Sequence, residues 1–507
     1  SVDGVIWMHW ADVEGSKLPP EPLIATGITP SGPIHLGSLR EILTGDAVKR
    51  ASESGELLYI ADSIDPLRKV YPFLDDSYEQ YVGMPLHDIP CPCGDHDNYA
   101  EHYLAPFLES IKELGIRCSI KYTHKMYAEG EYAEAAKLLI EGREEVADII
   151  SKTTGRELDD SWYPYNPRCA DCGKMGDTEI TSFKDPYVDY VCGCGHEGKA
   201  DIRTDDGKLP WRCDWPARWW MLGVDCEPLG KDHAAAGGSW DTGTEIIKAV
   251  FGTPPPHPIV YEWIQLKGKG AMSSSTGVAI KGEEMLAMVE PEIVRFLLMK
   301  TKPHSHIDFD PGLPLLDLVD EYDTVEARYY DGELDQDTQR VYELSQIQGI
   351  PEYPPSRVPY RHLVNLVQIY ESADEMWEVS MGDEVGPEDY DLFKTRVEGV
   401  KYWLDEHAPP FVKFSVKKEM PEVSLNDKEI EFITRYLTEL KGSDTWSPDS
   451  LHALVHTVAE DVGISKGKSF GIFYRILLDQ KRGPKLGRFL MQLDREFLLE
   501  RLEEVVE

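Results

Sequence analysis

No run of about 18 consecutive apolar residues occurs in the 507-residue chain, so a membrane-spanning helix is not expected. The opening segment SVDGVIWMHWADVEG has no basic region leading into an apolar core. A secretory signal is therefore not expected, and a cytoplasmic protein is the default expectation. Basic side chains are scarce: 52 lysines and arginines stand against 91 acids, a formal net charge of -39. Such an excess favours solubility and fits a salty cytoplasm, but it does not exclude a nucleic-acid partner. Screening at physiological salt cuts off beyond about 8 Å, so a local basic patch can hold RNA on an acidic body. Cysteines are few and odd in number, nine in all, which argues against a disulfide framework. A chain of this length calls for several domains.

What is present centres on Gly27 to Ser38, GITPSGPIHLGS. The apolar run Pro22 to Ile28 predicts a short buried strand. Thr29, Pro30, Ser31, Gly32 and Pro33 make a turn, and Leu39, Ile42, Leu43 and Ala47 predict a helix from near His35. A strand, a glycine-bearing turn and a helix start aim backbone N–H groups and the positive helix end at one spot, which suits a phosphate. His35 and Ser38 can donate to phosphate oxygens, and Gly32 and Gly37 admit a close ligand. Leu57 to Ala61 predicts a second strand, closing a βαβ unit. Asp62, Asp65, Arg68 and Lys69 follow it, where an open α/β sheet carries its ligand crevice.

Six cysteines cluster. Cys91, Cys93, Asp95, His96 and His102 fall within twelve positions, all of them possible zinc ligands. His102 belongs to a helix expected to run to Gly115. After a helical stretch from Tyr132 to Thr154, Cys169-Ala-Asp-Cys172 and Cys192-Gly-Cys194 appear with nineteen residues between them. Two such knuckles read as a structural zinc ribbon. Trp211, Trp215, Trp219 and Trp220 then crowd a short span, material for a core and for an aromatic wall against a cation. GKDHAAAGGSWDTG supplies Asp232, His233, Gly237 and Gly238 ahead of a helix near Thr242, a second turn suited to a nucleotide. Ile259 to Leu266 predicts a strand bearing Tyr261. It leads into KGKGAMSSSTG, where Lys267, Lys269 and three serines could close over a polyphosphate.

His35-Leu36-Gly37-Ser38 resembles the HIGH signature of class I aminoacyl-tRNA synthetases, and Ala271-Met272-Ser273-Ser274-Ser275 resembles their KMSKS loop. HWAD near the start, GITPSG, DPLRKVYP, WRCDWPARW, GKDH, MSSS, PEIVRFLLMKTKPHSHIDFD and YRILLDQKRGPKLGRF occur in the order of the class I lysyl-tRNA synthetases, a family found chiefly in archaea and some bacteria. The resemblance spans nearly the whole chain. It implies an α/β fold: a Rossmann-like parallel sheet with a zinc-containing insertion, then an all-α anticodon-binding domain. The expected divisions are 1–70 and 201–290 for the catalytic halves, 71–200 for the insertion, 291–345 for a stem-contact connector and 346–507 for the helical domain.

The same resemblance implies that lysine attacks the α-phosphorus of ATP to give lysyl-adenylate, which passes to the terminal adenosine of tRNA(Lys). ATP, magnesium and two structural zinc ions are the implied cofactors, and a monomer is expected. His35, Ser38 and Met272 to Ser275 would hold the triphosphate, with Thr29, Pro30, Gly32, Gly37, Asp232, Gly237 and Gly238 around the nucleotide. Gly27, Thr29, Trp211 or Trp215, His233 and Tyr261 would form the lysine pocket, and Asp62 and Asp65 are the candidate partners for the ammonium. Two departures stand out. Ala271 and Thr276 replace loop lysines, leaving Lys267 and Lys269 as substitute cations. In the first metal cluster Cys91 takes the place of the family's acid and Asp95 that of its cysteine. The implied ligands are then Cys91, Asp95, His96 and His102, with Cys93 spare or substituting, and Cys169, Cys172, Cys192 and Cys194 in the ribbon. The basic group Lys466, Lys468, Arg475, Lys481, Arg482, Lys485 and Arg488 reads as an RNA contact. The alternatives are a sister synthetase of the glutamyl type and a non-catalytic tRNA-binding relative.

Overall fold

Apolar strands buried on both faces need helices above and below, and here they form a wholly parallel sheet. The structure is a computed structural model that describes residues 8–272, 279–381 and 386–507. Strand β1 (Leu23–Ile28) leads through helix α1 (Leu36–Ala51) to β2 (Glu56–Ala61), and the two strands pair from Leu23 opposite Glu56 to Ile28 opposite Ala61. Helix α2 (Tyr99–Glu113) leads to β3 (Ser119–Tyr122) outside β2. Helix α3 (Trp211–Leu222) then brings the chain back to the other side of β1, where β4 (Cys226–Gly230) lies. Helix α4 (Ser239–Ile246) precedes β5 (His257–Tyr261) at the edge. The order β5-β4-β1-β2-β3 reverses between β1 and β4. In open parallel sheets the crevice beyond the strand ends at such a reversal is the ligand site. Close packing explains Gly27: a Cβ there would fall 2.8 Å from the Ile60 carbonyl oxygen on β2.

Two expected elements are each split. The stretch 132–154 is two helices, Ala133–Glu141 and Arg143–Thr154, with Gly142 between them. The expected strand from Ile259 to Leu266 is also two. β5 ends at Tyr261, and Ile264–Leu266 joins a separate sheet beside Ile307–Phe309 and Gly270–Ala271. Buried Arg40 fixes the bend by donating to the carbonyls of Glu262 at 2.7 Å and Lys302 at 3.0 Å. The HWAD stretch has a similar clasping role. His9 Nε2 lies 2.8 Å from the Met299 carbonyl oxygen and the Trp10 indole donates to it at 3.1 Å, tying the helix Pro291–Met299 to the start of the chain.

The insertion carries an antiparallel sheet of Thr178–Lys184, Tyr187–Cys192 and Glu197–Asp201, its stem closed by the pairing of Asn166–Pro167 with Gly207–Lys208. The chain forms two compact units. The first runs to Leu286 and includes Pro291–Phe309 and Asp331–Ile350. The second holds Ala287–Glu290, Asp310–Tyr330 and Pro351–Glu507, so the expected connector 291–345 is divided between them. The second unit is helical around Phe432, Tyr436, Phe473, Leu477 and Phe489. Buried Arg396 is matched there by Glu290 and Asp323, each at 2.7 Å. No helix among the described residues is long and apolar enough to cross a membrane.

Candidate active site

β1 stops at Ile28, and the turn Thr29–Ile34 carries the chain to His35, which takes the N-cap position of α1 without capping it through its side chain. The imidazole instead lies back over the first turn. A Cβ on Gly37 would come within 2.8 Å of His35 Nδ1, so glycine is required there. That Nδ1 is buried and has no hydrogen-bond partner, and lost solvation pushes the His35 pKa down to about 4. The ring is therefore neutral near pH 7, with one nitrogen held ready for a ligand.

The second signature arrives from more than two hundred residues away. The Leu36 amide donates to the Ile280 carbonyl at 2.6 Å, and His35 forms an antiparallel bridge with Lys281. Met272 lines a cavity of about 400 Å³ together with His35, Gly37, Ser38, Asp232 and Trp263. Ser273, Ser274 and Ser275 lie outside the described residues. Lys267 and Lys269 are exposed on the hairpin before Met272 and do not line these cavities. Gly237 and Gly238 do not line them either. Gly237 receives Arg212 on its carbonyl and has a positive φ of 77°, so the pair shapes the turn into α4.

A second cavity, of about 320 Å³, adjoins the first at the ends of β1 and β4 and is lined by Gly27, Thr29, Trp211, Trp215 and His233. Both expected partners for an ammonium border it, and both are already held in ion pairs. Asp62 pairs with Arg218 at 2.6 Å, and the same guanidinium holds Asp214 at 2.6 Å. Asp65 pairs with Lys208 at 2.5 Å and accepts from the Thr29 hydroxyl at 2.8 Å. Of the carboxylates that remain in the cavity wall, Glu227 is taken up by two tryptophan indoles, and Glu41 lines both cavities. It accepts from the Gly27 amide at 3.0 Å and from the Tyr261 hydroxyl at 2.9 Å, and has no cationic partner among the described residues. Lost solvation pushes its pKa up to about 7. The sequence signal for Glu41 is its place three residues after Ser38, on the same face of α1.

The aromatic wall is graded. Glu227 accepts the indole N–H of Trp215 and of Trp219, both at 2.7 Å. Trp211 stacks on Trp215 at 5.1 Å, and its own indole nitrogen is buried without a partner. Of the two tryptophans, Trp211 therefore keeps a donor for a ligand. His233 sits beside both rings, with Nδ1 2.9 Å from the Ser239 hydroxyl. The buried Arg218 fork underlies this floor. Arg218→Lys, which cannot span both carboxylates, should destabilise the first unit by about 2 kcal/mol in a urea titration.

Among the described residues, two groups of side chains could hold a metal. In the ribbon, Cys169 Sγ and Cys194 Sγ are 3.6 Å apart, and Cys172 Sγ and Cys192 Sγ 3.8 Å. These match the edges of about 3.8 Å of a tetrahedron with Zn–S bonds of about 2.3 Å. In the other group the ligand atoms of Cys91, Cys93, His96 and His102 all lie within 4.8 Å of one another. Asp95, the expected ligand, is not among them. The Cys91–Gly94 turn, with Gly94 at φ 79° and its amide on the Cys91 carbonyl, leaves Asp95 exposed, while its backbone N–H points at Cys93.

Residues 8–348 match the family model described as tRNA synthetases class I (K), and residues 365–506 match an anticodon binding domain. A lysine–tRNA ligase of Thermoplasma volcanium is 43% identical over 505 residues, covering 98% of this chain and 99% of that one. One from Picrophilus torridus is 44% identical over 508 residues, covering 98% and 99%. Among solved structures, a glutamate tRNA ligase from Elizabethkingia meningosepticum has a TM-score of 0.45 at 12% identity, covering 96% of this chain and 99% of that one. The family model covers more than half of the chain and these relatives match nearly all of it, so the chain belongs to the class I tRNA synthetases of the K type.

Proposed function

We propose that the chain is a lysine–tRNA ligase, which activates L-lysine with ATP and transfers it to the terminal adenosine of tRNA(Lys). The observation that carries this reading is the unpaired Glu41 at the end of an aromatic pocket, beneath His35 and Ser38. A lysine ammonium would neutralise it, whereas the side chain of glutamate would meet a like charge. ATP enters as its magnesium complex. The lysine carboxylate, directed by the Trp211 indole and His233, attacks the α-phosphorus, and pyrophosphate leaves. The protein contributes position and charge stabilisation rather than covalent chemistry. The His35 N–H and the Ser38 hydroxyl donate to phosphate oxygens as negative charge shifts in the transition state. His35→Ala should slow activation by about 10²-fold with the KM for lysine near wild type. A larger rise in that KM than fall in kcat would move His35 out of the phosphate corner.

We assign the ribbon cysteines, and Cys91, Cys93, His96 and His102, to two structural zinc ions, which would cross-link the loops that carry them. In the helical unit Lys466, Lys468, Lys481, Arg482, Lys485 and Arg488 are exposed, while Arg475 is paired with Glu429 at 3.1 Å. The exposed six are the proposed RNA-backbone contacts. The deciding experiment is pyrophosphate exchange by the full chain, with a tRNA(Lys) transcript present, across all amino acids. Exchange that depends on lysine is the expected result. Dependence on glutamate would favour the sister enzyme, and exchange with none would favour a non-catalytic tRNA binder.

A further inference from the structure

Lysine and ATP fill the pocket above Glu41 and the corner at His35, which leaves the third substrate without a seat. Two more openings border the turn after β1. One, of about 440 Å³, is lined by Thr29, Ser31, Arg68, Tyr71, Asn166 and Trp211. The other, of about 360 Å³, is lined by Thr29, Gly32, His35, Tyr71, Phe73 and Met272. Tyr71 stands in both. Its ring stacks on Phe73 at 5.4 Å with an interplanar angle of 10°, and Tyr103 packs edge-on against Phe73 at 5.7 Å. Phe73 still keeps 36% of its surface exposed.

The turn is built to tolerate that ring. A Cβ on Gly32 would come within 2.5 Å of the Phe73 ring edge, so the ring rests directly on the phosphate-binding turn. Arg68 is exposed, borders both the lysine cavity and the larger opening, and has no ion pair or hydrogen bond among the described residues. The Lys69 ammonium sits 5.5 Å over the Tyr71 ring. In a chain with 39 more acids than bases, two adjacent cations beside a partly bare aromatic pair select for something flat and anionic.

We propose that the Tyr71–Phe73 pair is the stacking platform for the terminal adenosine base of the tRNA, and that Arg68 meets a phosphate of the same 3′ end. The seat directs the ribose hydroxyls toward Thr29 and Trp211, where the lysine carbonyl lies. The inference rests on the ligase reading and adds the residues that receive the acceptor end.

The test uses the full chain and a tRNA(Lys) transcript whose terminal adenosine is replaced by 2-aminopurine, a base whose fluorescence falls on stacking. Wild-type protein should quench the signal severalfold. Phe73→Leu and Tyr71→Leu should lose most of the quench and slow single-turnover transfer by about tenfold or more, with total tRNA affinity within about twofold, since the helical domain still holds the molecule. Tyr71→Phe, which keeps a ring, should keep the quench. Arg68→Gln should weaken the quench and flatten its salt dependence. An absent quench in the wild type would overturn the proposal, as would an undiminished quench in both leucine variants. So would a raised KM for ATP with transfer unchanged, which would assign the platform to the adenine of ATP. A wild-type chain that fails to charge tRNA with lysine is a separate outcome and counts against the ligase reading itself.

Discussion

Glu41→Gln should lower kcat/KM for lysine by about 10³-fold, almost all of it through weaker binding of the ammonium. Glutamine keeps the shape, and its oxygen can still accept from the Gly27 amide, so the loss isolates the charge. Asp62 and Asp65 cannot stand in, because Arg218 and Lys208 hold them. The pH dependence carries the same signature. In the empty pocket the Glu41 carboxyl sits at about 7, pushed up by lost solvation, and an arriving ammonium favours its ionised form. Below pH 7 lysine must therefore displace a proton, and its KM should rise by about tenfold per pH unit as the solution is acidified. For the unliganded fold the sign is opposite. The folded state holds that proton from the ordinary carboxylate range up to about 7, so this group's share of the stability falls as pH rises through that window. An equal KM for Glu41→Gln and wild type, with a flat profile between pH 6 and 7, would leave the pocket without its proposed cation partner.

Removing metal should have an effect of similar size on a different part of the molecule. Structural zinc contributes folding free energy directly, because its thiolate site does not exist in the unfolded chain. A strong chelator should release about two zinc ions per chain, read with a metal-sensitive dye, and open the 166–208 segment to proteases. Cys172→Ser should expose the same segment without chelator. Cys93→Ala should release one ion and Asp95→Ala none, which separates the ligand set seen in the structure from the one implied by family resemblance. Zinc-free protein that resists proteolysis equally would dismiss both sites as structural metal centres.

The strand, turn and helix around His35 were legible because the information is local: prolines and glycines fix the turn and a three-to-four residue period fixes the helix. The cysteine knuckles were legible for the same reason. What sequence did not reveal depends on partners far along the chain. Asp62 looks like an available carboxylate until Arg218 arrives from 156 residues away. Glu41 looks like an exposed helix residue until β1 and β5, two parallel strands of one sheet, bring the Gly27 amide and the Tyr261 hydroxyl to it. The run from Ile259 to Leu266 reads as one strand because its alternation is continuous, and only the buried Arg40 marks where it leaves one sheet for another. Asp95 and Cys93 are both chemically fit for zinc, and a single tight turn decides between them.

Lys208 closes the stem of the insertion by pairing through Asn166, and its ammonium ends on Asp65 in the wall of the proposed lysine pocket. The insertion thus reaches the proposed substrate pocket through the Lys208 side chain. Trimming it to make a minimal enzyme would leave a bare anion beside Thr29, free to draw the incoming ammonium away from Glu41. A shortened enzyme would then hold its amino acid in the wrong register, and only a version that also neutralised Asp65 would recover correct alignment.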